Sequence, residues 1–192
     1  MHGMVNRSIE HFLRANYGDG IWHQVATDAG VDTGGFNGLT KYPESVTAQL
    51  LRAASAQLDK TSFELLEDVG AWLVQLESLR RLLRFSGSSF DDFVFALEEL
   101  PGRVAMVLPG LPFKPITVSR KGDNRYLISG TDWQRGLPWI VAGALRGMAD
   151  DYGVLALIDA TDDGVRLHVL VQEFSEARPF HLGALSAGGA IA

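Results

Sequence analysis

The 192-residue chain contains no cysteine. That single absence removes disulfide frameworks, thiolate nucleophiles, cysteine-ligated zinc and iron–sulfur clusters together, and it fits a reducing compartment. Basic charge is also scarce, with 17 Lys and Arg against 23 Asp and Glu for a net charge of -6. No basic tail or patch is present to track a phosphate backbone, so nucleic acid is excluded as a partner. The opening MHGMVNRSIEHF lacks the apolar core of a signal peptide, and no run approaches the roughly 20 apolar residues of a membrane span. A cytoplasmic protein is therefore expected. The chain also lacks a Gly-x-Ser-x-Gly elbow and any nucleophile with a credible base, so it reads as a non-enzyme.

What is there is ordinary globular material, 46% hydrophobic and 21% charged, enough for one sizeable core. Val5, Ile9, Phe12 and Leu13 repeat with helical period and stop at Gly18. A second short helix follows Asp19 as its N-cap and carries Ile21, Trp22, Val25 and Ala29. Gly34, Gly35 and Gly38 mark a loop before Pro43, which opens a helix reaching about Leu58. Thr61 and Glu64 have capping-box spacing and start a helix through Val69 and Leu73. A short basic helix over Ser78 to Phe85 stops at Gly87, and Ser88 with Asp91 caps the next one.

On that next helix Phe90, Phe93, Val94, Leu97, Leu100, Val104 and Leu108 share one face, and Pro101 stands on it too. A proline deep in a helix removes a backbone bond at a cost of roughly 3 kcal/mol or more, so the helix breaks or kinks there, helped by Gly102. After the turn-rich 109–115 the period changes to alternation. Ile116 and Val118 face Tyr126 and Ile128 across Gly122-Asp123-Asn124, a β-hairpin. Leu137 to Tyr152 is helical, and Val154 to Ile158 with Val165 to Phe174 forms a second hairpin across Thr161 to Gly164. The fold class is α+β: a helical N-terminal half, then a four-stranded antiparallel sheet with one intervening helix. A single domain over 1–182 is expected, with a helical part about 1–60, a sheet-containing part about 61–182, and a Gly-rich tail over 183–192.

Three segments, in order, resemble the haem-nitric oxide/oxygen binding (H-NOX) family over nearly the whole chain. They are Met1-His2-Gly3-Met4-Val5-Asn6 with Ile9, Phe90-Asp91-Asp92-Phe93 through Glu98-Glu99-Leu100, and Gly136-Leu137-Pro138 leading to Gly143-Ala144-Leu145-Arg146-Gly147. The resemblance implies a haem pocket, nitric oxide sensing and signalling to a separate cyclase or histidine kinase; the chain length suggests a stand-alone subunit. In that family a helix-borne His after an acidic, apolar run ligates the iron. Here that position is Pro101, which has no side-chain lone pair to give a metal. The family's Tyr-x-Ser-x-Arg, which holds the haem propionates, falls on Gly130, Asp132 and Gln134. One residue along it falls on Thr131, Trp133 and Arg135, which keeps the Arg and loses the Tyr and Ser. The chain therefore reads as a divergent member.

The residues the resemblance assigns to the ligand site are Val5, Leu97, Leu100, Pro101, Trp133, Arg135, Ile140 and Ala144, with Val5, Ile140 and Ala144 offering no hydrogen-bond donor to a bound gas. No metal-ligating set is assigned, since His2, His11, His23, His168 and His181 share no ligand spacing. The cofactor is haem held without the His bond, or another hydrophobic ligand. The other reading is a ligand-free protein-interaction module whose cavity is filled, with Trp133 and Trp139 as the filling. Glu98-Glu99, Asp150-Asp151 and Arg80-Arg81 with Arg84 read as solvated surface, and the loop at Ser86-Gly87-Ser88-Ser89 as helix capping.

Overall fold

The computed structural model describes residues 3–84, 87–107 and 114–171. His2, Phe85, Leu108, Phe174, His181 and the tail 183–192, all invoked above, lie outside the described residues. The helices are α1 (Gly3–Ala29), α2 (Glu44–Leu58), α3 (Ser62–Leu73), α4 (Glu77–Arg84), α5 (Phe90–Ala96), α6 (Leu100–Val107) and α7 (Leu137–Tyr152). The strands are β1 (Thr117–Gly122), β2 (Arg125–Ser129), β3 (Leu155–Thr161) and β4 (Gly164–Val171), in the order β1-β2-β4-β3, all antiparallel. The expected α+β architecture with a four-stranded antiparallel sheet is what the chain adopts.

Local chemistry sets the boundaries. The two helices expected at the N-terminus run as one element broken at Gly18, whose φ of 85° and ψ of 166° only glycine takes without strain. Asp19 does not stand free before a helix; its carboxylate accepts from Arg14. The capping box at Thr61 and Glu64 is present, with Thr61 Oγ1 accepting from Glu64 N and Glu64 returning a bond to Thr61 N at 2.7 Å. The second box sits one residue later than Ser88 and Asp91 suggested: Ser89 caps Asp92 N at 3.1 Å, and Ser88 donates to the Asp92 carboxylate. The shift follows from Phe90, which must be the first helical residue to reach the core.

Two cores form. Ile9, Phe12, Leu13, Trp22, Val25 and Leu50 belong to the helical one, which Leu65 and Val69 of α3 also enter. The second joins Phe90, Phe93 and Leu97, the inner sheet face (Val118, Tyr126, Ile128, Val165, Leu167, Val169) and Leu145 and Met148 of α7. The antiparallel alternation leaves the other sheet face outward.

Between the cores α3 and α7 cross at backbone distance. A Cβ at Gly70 would lie 2.0 Å from Ile140 O, and one at Gly143 would lie 1.9 Å from Glu67 O, so only glycine allows this approach. The basic helix α4 is not simply solvated. Arg80 holds Asp151 through two bonds of 2.7 Å, and Arg84 donates to Asp151 O with its guanidinium 4.5 Å above the Tyr152 ring. Cations thus meet the carbonyl-rich end of α7, where the helix dipole favours them.

Candidate functional site

The site begins with the break. Pro101 forces it, as expected, yet the disruption starts upstream: Leu97–Glu99 wind as a 3₁₀ turn and a new helix starts at Leu100, with Pro101 second in it. The missing N–H and the clash of the ring with the preceding turn are relieved when residue 97 leaves α-helical bonding, because a proline in the first turn of α6 has no intrahelical donor to lose. Glu98 is exposed but not idle. Its Oε1 accepts from Val118 N at 2.7 Å, fastening the turn to β1. Glu99 pairs with Arg103 at the surface.

The assigned residues do not all come together. Leu97 is buried in the sheet core, and half-buried Leu100, Trp133 and Ala144 pack against that core. Val5 packs against the helical core instead. Pro101 and Ile140 are half-buried and Val104 is 8% exposed, yet none of the three is part of either core. Arg135 is exposed in the turn before α7.

The two tryptophans have internal partners. Trp133 folds over Gly130 and donates from Nε1 to Pro115 O at 3.1 Å, while Trp139 stacks on Phe63 at 3.9 Å, joining α7 to α3. Asp132, in the turn between Gly130 and Trp133, adopts a left-handed φ of 55°.

Pro101 has no donor atom, His11 and His23 are exposed on α1, and His168 lies on the strand face opposite buried Leu167 and Val169. Groups of three or more His, Cys, Asp or Glu able to hold a metal ion are absent among the described residues.

Sequence reasoning missed the glycine seam of Gly70, Gly143 and Gly147, although two glycines four residues apart on one helix, Gly143 and Gly147, were a readable signal. It also missed buried Asn6, whose Oδ1 accepts from Thr47 Oγ1 at 2.6 Å, and buried Glu10, which accepts from Phe36 N at 2.8 Å and fastens the glycine loop onto α1.

The family model described as haem-NO-binding matches residues 2–157. Among known sequences, soluble guanylate cyclase gcy-31 of Caenorhabditis elegans is 22% identical over 90% of this chain and 26% of its own length. Soluble guanylate cyclase 89Da of Drosophila melanogaster is 20% identical over 79% of this chain and 23% of its own. The chain thus spans about a quarter of the length of these cyclases. Among solved structures, an iron(II) unliganded H-NOX protein mutant from K. algicida superposes with a TM-score of 0.74 at 17% identity, covering 91% of this chain and 99% of that one. An iron(II) H-NOX mutant from S. oneidensis gives 0.74 at 14%, with the same coverage. At such identities these structures speak for the fold. No helix among the described residues is long and apolar enough to cross a membrane.

Proposed function

We propose, from the premise that the chain belongs to the haem-NO-binding family, that it is an H-NOX sensor domain whose pocket takes a hydrophobic ligand without an iron bond from the protein. The wall of that pocket comprises Val5 on one side, Ile140 and Ala144 on α7, and Leu97, Leu100 and Pro101 on the broken helix, with Trp133 and Arg135 at the turn before α7. It lies between the helical part, about 1–60, and the sheet-containing part, about 61–182. The ligand is haem held by enclosure alone, or another planar apolar molecule. The domain performs no catalysis and passes its state to a cyclase or histidine kinase in the cytoplasm.

The single observation behind this reading is the proline second in α6, between Leu100 and Gly102, where the family resemblance calls for an imidazole. A second reading, a ligand-free interaction module, draws on Trp133 and Trp139, whose partners are internal. Titrating the purified protein with hemin and extracting any co-purified ligand separates the two. A saturable, stoichiometric Soret change without the band pattern of axial imidazole, or a stoichiometric extracted apolar molecule, supports the first. Protein that retains neither supports the second.

A further inference from the structure

Apart from the residues assigned to the haem-side pocket, α1 and α3 enclose a second cavity of about 270 Å³ that opens to solvent. Three of the side chains lining it are aromatic, Phe12 and Tyr17 from α1 and Trp72 from α3. Buried Phe12 stands between the other two, 5.8 Å from the Tyr17 ring at 74° and 6.0 Å from the Trp72 ring at 69°. The rings therefore meet at steep angles around the cavity, and half-buried Tyr17 and Trp72 keep part of their surface in water. Faces of aromatic rings carry negative charge density, and several rings converging on one space suit a cation that sheds water easily.

Two opposite charges complete the lining. Lys60, in the link between α2 and α3, donates to the carboxylate of Asp68 on α3. That bond, with the Tyr17 hydroxyl beside it, holds the Lys60 ammonium above its ordinary value. The two side chains are 38% and 39% exposed, so a ligand can reach both. An ion pair this open to water adds little to stability and is cheaply exchanged for other partners. A plain cation among the rings would be opposed by Lys60. A molecule that carries its own anion would not be, because each of its charges has an opposite one in the lining.

We infer that this cavity binds a small zwitterionic quaternary ammonium compound, its alkylated nitrogen among Phe12, Tyr17 and Trp72 beside Asp68 and its carboxylate on Lys60. A quaternary nitrogen has no N–H to leave unpaired against the rings, which a primary ammonium would. The cavity falls just below the about 300–1,000 Å³ of sites for drug-sized molecules, which limits the ligand to a few heavy atoms and the affinity to a Kd of about 0.1–1 mM.

Titrating the full chain with trimethylglycine, followed by calorimetry and by the Trp72 indole N–H resonance, is expected to give one saturable site in that range. Two comparison probes separate the contributions. The tert-butylacetate ion has the same shape with a neutral carbon in place of nitrogen, and choline has the cation without the carboxylate. Each should bind at least about fivefold more weakly. Asp68→Asn and Lys60→Met should each weaken trimethylglycine at least about fivefold with little change in the thermal melt. Lys60→Met should at the same time strengthen choline, which a merely structural role for the lysine would not do. The inference is overturned if neither signal saturates by about 20 mM trimethylglycine. It is equally overturned if tert-butylacetate or choline binds as tightly as trimethylglycine, or if both variants leave the affinity unchanged.

Discussion

Pro138 and Pro101 each stand second in a helix, and the two helices differ in everything else. α7 starts cleanly after Gly136 at a left-handed φ of 95°, runs sixteen residues and ends on Gly153, also left-handed. Its proline costs nothing, because a first-turn residue has no helical acceptor for its N–H. Pro101 sits within one apolar stripe that runs from Phe90 to Val104, with no such glycine ahead of it, so the chain makes room by tightening residues 97–99 into a 3₁₀ turn. The lesson is that a proline's effect is set by what precedes it. One wall of the candidate site is a continuous helix locked at backbone distance to α3, and the other is broken and tied down by a side chain, Glu98.

Substitutions sharpen that contrast. The locked wall should be the least forgiving: Gly143→Ala puts a Cβ against Glu67 O and the two helices must part, for a loss of about 2–3 kcal/mol and roughly 5–10 °C in Tm by thermal denaturation. On the broken wall Ser89→Ala removes the cap of α5 and should cost about 1 kcal/mol in a urea titration. Glu98→Ala leaves Val118 N without its acceptor; with the glutamate exposed, a loss of about 0.5–1 kcal/mol is expected, with faster exchange of the Val118 amide as its signature. Arg80→Ala breaks a two-bond ion pair at a site open to water, and less than about 1 kcal/mol should be lost.

The smallest effect is one of pH. Hydrogen bonds from the Ser89 and Ser88 hydroxyls, with the Ser89 amide, hold the Asp92 carboxyl below its ordinary value near 3.8. A carboxyl lowered in the folded state stabilises fully above that ordinary value and loses its contribution as pH falls through the lowered one. Melts recorded from about pH 5 to pH 2 should therefore decline less steeply in Ser89→Ala than in the parent. Equal slopes would detach Asp92 from the cap.

Much of this was legible in the chain. The limits of α7, both hairpin turns, the Thr61 box and the break forced by Pro101 follow from local chemistry: period, capping spacing and proline geometry. The shifted Ser89 box was not, because Ser88 and Ser89 offer equivalent oxygens and only the seating of Phe90 in the core chooses between them. Nor was the role of Arg80, Glu98 or Trp133, whose partners Asp151, Val118 and Pro115 are 71, 20 and 18 residues away. Such pairs are products of the tertiary fold, and no local pattern announces them.

The break at Pro101 is tested most directly by comparing hemin complexes of the parent chain and of Pro101→His by resonance Raman spectroscopy of the iron(II) state. The account predicts an iron–histidine stretching band in the variant and none in the parent. An iron–histidine band in the parent would contradict it, because some imidazole of this chain would then reach the iron without residue 101.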